Sequence, residues 1–223
     1  MEFAGKTKFK IYFSDIAKPI SDLFAELDGK PKYDPKRADN FQGFASLKVL
    51  DDFLVGSYAY VGMESNVVYE PVLETNTIAV KNVKYQCDFF INGNILLMTN
   101  DAKAQKLLLA HHLQEFHAYL ASNISAMFPR FNKSVDTIKC VKEEPLKHIV
   151  SHFKIRSSNA LEEYESFPAD DYDKIDVVEI TGLVVSSTGK LNKITFNANG
   201  FISVQPANKA ETFTPYDILD FIK

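Results

Sequence analysis

Apolar and polar residues alternate from Lys8 to Phe13, placing Phe9, Ile11 and Phe13 on one side, which is the period of a half-buried strand. After Pro19 the period changes. Ile20, Leu23, Phe24 and Leu27 fall at i, i+3, i+4 and i+7, with proline at the start and Gly29 at the end, so a short amphipathic helix is predicted. Residues 30–45 hold two prolines and the cations Lys30, Lys32, Lys36 and Arg37, and read as a loop. Strands are predicted at 53–60, 67–73 and 77–91, which are rich in β-branched and aromatic residues. Ile95–Met98 then closes a hairpin over Asn92-Gly93, the pair preferred in type I′ turns.

Leu109, Leu113, Phe116, Leu120, Ile124 and Met127 form one helical stripe, which predicts a long helix from about Asp101 to Phe128, ended by Pro129. A strand over 135–141 follows. Next, Leu146, Ile149, Val150 and Phe153 repeat the i, i+3, i+4, i+7 spacing behind Pro145, predicting a second short helix. The polar, acidic stretch 157–174 reads as a solvated loop. Strands are predicted at 175–185, 190–198 and 201–204, with turns near Ser187-Thr188-Gly189 and at Asn199-Gly200. A final helix is opened by Thr214-Pro215-Tyr216-Asp217.

In order, these elements read strand, helix, several antiparallel strands, helix, and then the same series again. Pro19 and Pro145 open helices of the same apolar pattern, and each Asn-Gly hairpin leads from an apolar strand into a second one. In register with those hairpins, Cys87, Phe89 and Ile91 match Ile194, Phe196 and Ala198. The expected fold class is α+β: two β-α-β(4)-α-like halves, 1–128 and a shorter 129–223, forming a curved antiparallel sheet with helices packed on one face.

Such a tandem unit, with the hairpin and following helix "FFINGNILLMTNDAKAQKLLLAHHL", resembles the saddle of the TATA-box-binding protein family. The resemblance implies helices on the convex face, and a concave sheet that lies in a DNA minor groove and wedges phenylalanines between base steps. It puts strands 53–60, 67–73 and 83–98, with their second-half counterparts, on the binding surface. If Phe89 and Phe196 face the helices, the opposite faces carry Lys84, Gln86, Asp88, Phe90, Ile95 and Leu97 in one half, and Lys193, Thr195, Asn197, Ile202 and Val204 in the other.

Charge pulls against that picture. The chain of 223 residues has a net charge of −4, and neither half is basic. Only Arg37, Arg130 and Arg156 are available as arginines to grip phosphate. A mixed, partly apolar face also suits a protein partner, which makes an assembly subunit the alternative. Hydrophobic residues make up 46% of the chain, a proportion suited to a globular protein. No apolar run reaches the length of a bilayer span and no signal-peptide pattern opens the chain, so a cytoplasmic location without membrane contact is expected.

Candidate chemistry is sparse. Cys87 and Cys140 lie in strand-like settings outside any CxxC spacing and read as core residues. Glu144, His148 and His152 are spaced four apart and would share one face of the Pro145 helix, the best candidate metal set and the basis of a metal-dependent hydrolase reading. His111, His112 and His117 do not converge on the long helix and read as surface or flanking residues. Gly189-Lys190 lacks the spacing and the following helix of a phosphate loop, and reads as a hairpin turn. Asp176 and Glu179 are expected on opposite strand faces, which disfavours a paired-acid nuclease. The expected function is therefore non-enzymatic binding without a cofactor, nucleic-acid-associated through the sheet. The candidate contacts are Lys30, Lys32, Lys36, Arg37, Lys84, Phe90 and Lys193.

Overall fold

The computed structural model describes residues 2–36, 41–71, 75–99, 101–120, 124–144, 149–167 and 175–223, apart from the side chains of 70, 75–77, 143–144 and 149. Strand exceeds helix, 53% against 21%, and pairing is mostly antiparallel, an α+β fold. Two compact units are present: an inserted unit, Tyr12–His117, and an outer unit made of Met1–Ile11 with Ala118–Lys223. The division thus falls between His117 and Ala118, not after Phe128, and the first residues join the second unit.

In the inserted unit, the end of β2 (Thr7–Ser14) is followed by α1 (Ile20–Asp28), β3 (Gln42–Leu50), β4 (Phe53–Glu70), β5 (Thr75–Asn92), β6 (Ile95–Thr99) and α2 (Ala102–His112). β3 to β6 are neighbours in sequence order, and the end of β2 meets the β5–β6 turn through the Ser14 amide, which donates to the Asn94 carbonyl at 2.9 Å. One sheet face packs under α1 and α2. Leu23, Leu27, Tyr58, Cys87, Phe89, Leu96, Met98, Ala104 and Leu108 form that core. The Asp101 carboxylate caps α2 by accepting from the amides of Lys103 and Ala104. The expected loop 30–45 is shorter than predicted, because β3 begins at Gln42 and Lys32 bridges to Phe44.

The predicted long helix stops at His112. Phe116–Ala118 forms a short strand, β7, and Ile124–Arg130 is a 3-10 helix. The 3.6-residue stripe was misleading beyond Leu113, since Leu120 is 69% exposed. Backbone accounting wins here: the Tyr119 amide donates to the Ile11 carbonyl, a partner a helix would not have needed.

In the outer unit, β8 (Ser134–Glu144), β9 (Ile149–Arg156), α3 (Ala160–Glu165), β10 (Ile175–Val185), β11 (Leu191–Asn197) and β12 (Phe201–Pro206) lead into α4 (Pro215–Ile222). The sheet order is β12-β11-β10-β8-β9, and Thr7–Lys10 of β2 pair with β12 on its other side. A small ladder joins β1 (Phe3–Ala4) to β13 (Thr212–Phe213), where Phe3 stacks on Phe213 at 5.3 Å.

The helix predicted behind Pro145 is instead β9, paired with β8 along its whole length from Thr137↔Arg156 to Glu144↔Ile149. Phe153 and Ile155 turn inward while Lys154 and Arg156 turn outward, so a two-residue period wins over the 3.6-residue one. The stretch expected as a solvated loop contains α3, anchored by buried Ala160 and Tyr164. One marker of the expected repeat, the Pro145 helix, is therefore not formed.

The two Asn-Gly hairpins also differ. Asn92 pairs with Ile95, so Gly93 and Asn94 are the central residues, and Gly93 alone has positive φ (59°), the sign pattern of a type II′ turn. β11 ends at Asn197 and β12 begins at Phe201, which leaves a three-residue loop, 198–200, with Gly200 at φ 71°. Asn197 Oδ1 accepts from the amides of Asn199 and Phe201 to hold that loop. No helix among the described residues is long and apolar enough to cross a membrane.

Candidate nucleic-acid interface

Strand alternation gives the outer-unit sheet two unlike faces. Ile138, Cys140, Ile155, Ile180, Ile194, Phe196, Ile202 and Val204 are buried on one, where α4 closes the layer through Phe221, 6.0 Å from Phe196 and 5.0 Å from Phe131. The other face is open. Its central part is a groove of about 610 Å³ lined by Asp136, Lys139, Lys154, Arg156, Glu179 and Lys193 together with hydroxyl residues.

The register explains how this lining assembles. Lys154 and Arg156 on β9 stand opposite Lys139 and Thr137 on β8. These in turn face Glu179 and Thr181 on β10, and Thr181 faces Thr195 on β11. Thr195 meets Ser203 on β12, which meets Lys8 on β2. A row of hydroxyls thus runs across the sheet with cations at both ends. Thr181 and Thr195 hydroxyls bond at 2.9 Å, and the Ser203 hydroxyl is buried without a hydrogen-bond partner.

Two of the cations are already engaged by acids, Lys139 with Glu179 at 2.6 Å and Lys193 with Asp136 at 3.6 Å. Lys154 and Arg156 are exposed and have no ion pair among the described residues. At the other end, Lys8 and Lys10 lie over the half-buried Phe201 ring, 4.1 and 4.4 Å from its centroid. Lys10 also donates to the Asn199 carbonyl, and burial first, then the neighbouring Lys8 charge, lower its pKa. Among the described residues, the face presents Lys8, Lys10, Lys139, Lys154, Arg156 and Lys193 against Asp136, Asp176 and Glu179. It is locally positive on a chain of net charge −4.

Asp176 and Glu179 need a correction. A β-bulge between Val177 and Glu179 resets the alternation, so Asp176 faces Val141 and Glu179 faces Lys139, two residues on the same side of β8. They share a face, where Glu179 is held by Lys139. Among the described residues, no group of His, Cys, Asp and Glu is arranged to hold a metal ion.

The sequence-derived candidates are scattered. Lys193 lines the groove. Lys30, Lys32, Lys36 and Lys84 belong to the inserted unit. There Lys84 sits over the Tyr33 ring at 5.0 Å, which joins it to the 30–36 segment, while Lys32 is engaged by Asp28 at 2.7 Å. Phe90 is fully buried, as is Leu97, and Ile95 is nearly so, because this sheet is covered on both faces at these positions. Phe90 therefore offers no surface for stacking. Arg37 and His148 lie outside the described residues. His152 is on strand β9 opposite Val141, so the helical face that would have gathered it with Glu144 and His148 does not form.

Sequence reasoning missed Lys8, Lys10, Lys139, Lys154 and Phe201, and named Arg156 only as an available arginine. The pattern was present in "KFKI" (8–11), "IKCVK" (138–142) and "FKIR" (153–156), where cations occupy the polar positions of alternating strands. His112 was missed as well. It packs against Phe44 and Tyr58, with ring centroids 5.2 and 5.6 Å away, and its Nδ1 is buried without a partner. Burial first, then His111 and Lys30, lower its pKa. Both cysteines are free and buried, and burial raises Cys87 to about 12 and Cys140 to about 11, so neither is a ready nucleophile. No protein-family model matches the sequence, and no curated protein or solved structure matches it either.

Proposed function

We propose that this chain is a non-enzymatic nucleic-acid-binding protein that uses the open sheet face of its outer unit. The observation that carries the reading is the concentration of cations on that face, flanking a row of hydroxyls and the Phe201 ring. Phosphates want cations and hydroxyl donors, and bases want an aromatic face. Exposed Lys154 and Arg156, without an ion pair among the described residues, supply the first contact.

The saddle resemblance supports this choice for the outer unit, although the corresponding face of the inserted unit is covered at Phe90 and Leu97. In the inserted unit β3, β4, β5 and β6 are neighbours in that order and lead to α2. In the outer unit β8, β10, β11 and β12 are neighbours in that order and lead to α4, with β9 and α3 set between β8 and β10. A duplication followed by one insertion accounts for both lists, and we include it in the proposal.

The test is fluorescence anisotropy with single- and double-stranded DNA and RNA. With three to six phosphates engaged on a single strand, affinity should fall about twentyfold to three-hundredfold between about 50 and 200 mM salt. Lys154→Ala/Arg156→Ala should weaken every sequence alike and flatten that slope. Absence of saturable binding at about 50 mM salt would refute the proposal.

A further inference from the structure

Beyond Val61, whose amide donates to the Phe41 carbonyl, and before Phe89, where β6 begins its pairing with β5, the hairpin continues without a third strand from Gly62↔Val83 to Glu70↔Thr75 among the described residues. A two-stranded ribbon is marginally stable in water without a covering layer. Its two faces are unlike. Directly opposite residues share a face, so Met63↔Asn82, Ser65↔Val80, Val67↔Ile78 and Tyr69 lie on one side, and Glu64↔Lys81, Asn66↔Ala79 and Val68 on the other. Met63 is 80% exposed, Val67 and Ile78 71%, Val80 61% and Tyr69 59%. Together they present on the order of 600 Å² of exposed, mostly apolar surface, interrupted by Ser65 and Asn82.

We propose that this face is the contact between two copies of the chain, packed ribbon on ribbon about a twofold axis. Two such faces would bury about 1,200 Å² together, the lower bound for a specific interface. None of the named residues on the apolar side is charged. An isologous contact sets each residue against the same patch on its partner, so the overall charge of −4 does not oppose pairing there. Stacked sheets separated by about 10 Å interdigitate side chains of this size. A lipid surface is the poorer occupant. The ribbon has no excess of Lys or Arg to attract anionic headgroups, since Lys81 stands opposite Glu64 and Glu64 is also held by Lys103 at 3.0 Å.

The proposal stands apart from the nucleic-acid reading and is tested on the full chain by light scattering behind size exclusion, from about 1 to 100 μM. The wild type should run at twice 25.2 kDa. Val67→Lys/Ile78→Lys should raise the dissociation constant at least about a hundredfold, giving a monomer with an unchanged circular dichroism spectrum. Because Cys87 and Cys140 are buried, Val67→Cys without the lysines should give, on oxidation, a covalent dimer under denaturing conditions that reductant returns to single chains. A wild-type monomer at every concentration would overturn the proposal, and so would a dimer indifferent to the lysines. A monomer that co-sediments with anionic vesicles through this ribbon would also overturn it, in favour of a membrane.

Discussion

Replacing Glu179 by glutamine should strengthen nucleic-acid binding, an outcome that fold damage cannot imitate. Glu179 is directly opposite Lys139 on the neighbouring strand, and its Oε1 lies 2.6 Å from the lysine Nζ. Glutamine keeps the size and an acceptor, removes one negative charge from the groove and frees Lys139 for phosphate. One added phosphate contact steepens the salt slope for a single strand by about 0.7, which at about 0.1 M salt is roughly fivefold in affinity. The cost to the fold is small, since an ion pair of this partly exposed kind is worth about 0–1 kcal/mol. Anisotropy titrations at several salt concentrations give affinity and slope together, and urea unfolding checks stability. Unchanged or weaker binding by a normally folded Glu179→Gln protein would refute the placement of nucleic acid on this face.

Gly182→Ala should cost at least 1–3 kcal/mol in urea unfolding, because an added Cβ would sit 2.1 Å from the Ser134 carbonyl oxygen and 2.7 Å from the Phe131 ring; a neutral result would contradict the close approach of β10 to β8. Phe90→Ala should cost about 3–5 kcal/mol, the price of emptying a fully buried aromatic site, whereas an exposed stacking residue would show almost none. His112 has its pKa lowered by burial, so the folded state binds fewer protons than the unfolded one below about pH 6.5, and stability should fall as pH drops from there through the folded pKa. His112→Phe keeps the contacts with Phe44 and Tyr58 and should flatten that fall between about pH 7.5 and 5.5; an unchanged profile would assign the pH dependence to other groups.

Local grammar made much of the fold legible. The α1 helix, the strands β5, β8, β10, β11 and β12, the β5–β6 hairpin and the Thr214 start of α4 all carry marks that need only neighbours a few residues away. The misses share a cause. Ile149, Val150 and Phe153 satisfy a helical period and a strand period at once, and the choice is made by β8, whose matching strand lies on the other side of Pro145. Phe116 likewise sits on a helical stripe, yet Phe116–Ala118 forms a strand. The bulge beside Glu179 moved a carboxylate to the other face, and nothing within β10 alone foretold it because the extra residue is defined against β8. Phe90 was placed at a surface by strict alternation, which holds only when one face of a sheet meets water.

Net charge was the least informative number for the site, for a physical reason. Counterion release depends on the cations within reach of a phosphate chain, and charges farther away than a Debye length, about 8–10 Å at physiological salt, are largely screened. The acids of α3 belong to a helix packed beside β8 and β9, with Ala160 and Tyr164 turned into the core. Lys154 and Arg156 point the other way, into the groove. Once β9 is a strand, Ile149–Arg156, which overlaps the expected Pro145 helix as far as Phe153, delivers Lys154 and Arg156 to the open face and turns Phe153 and Ile155 inward. The element that sequence periodicity misassigned is therefore the one that separates the acidic balance of the whole chain from the basic balance of its groove.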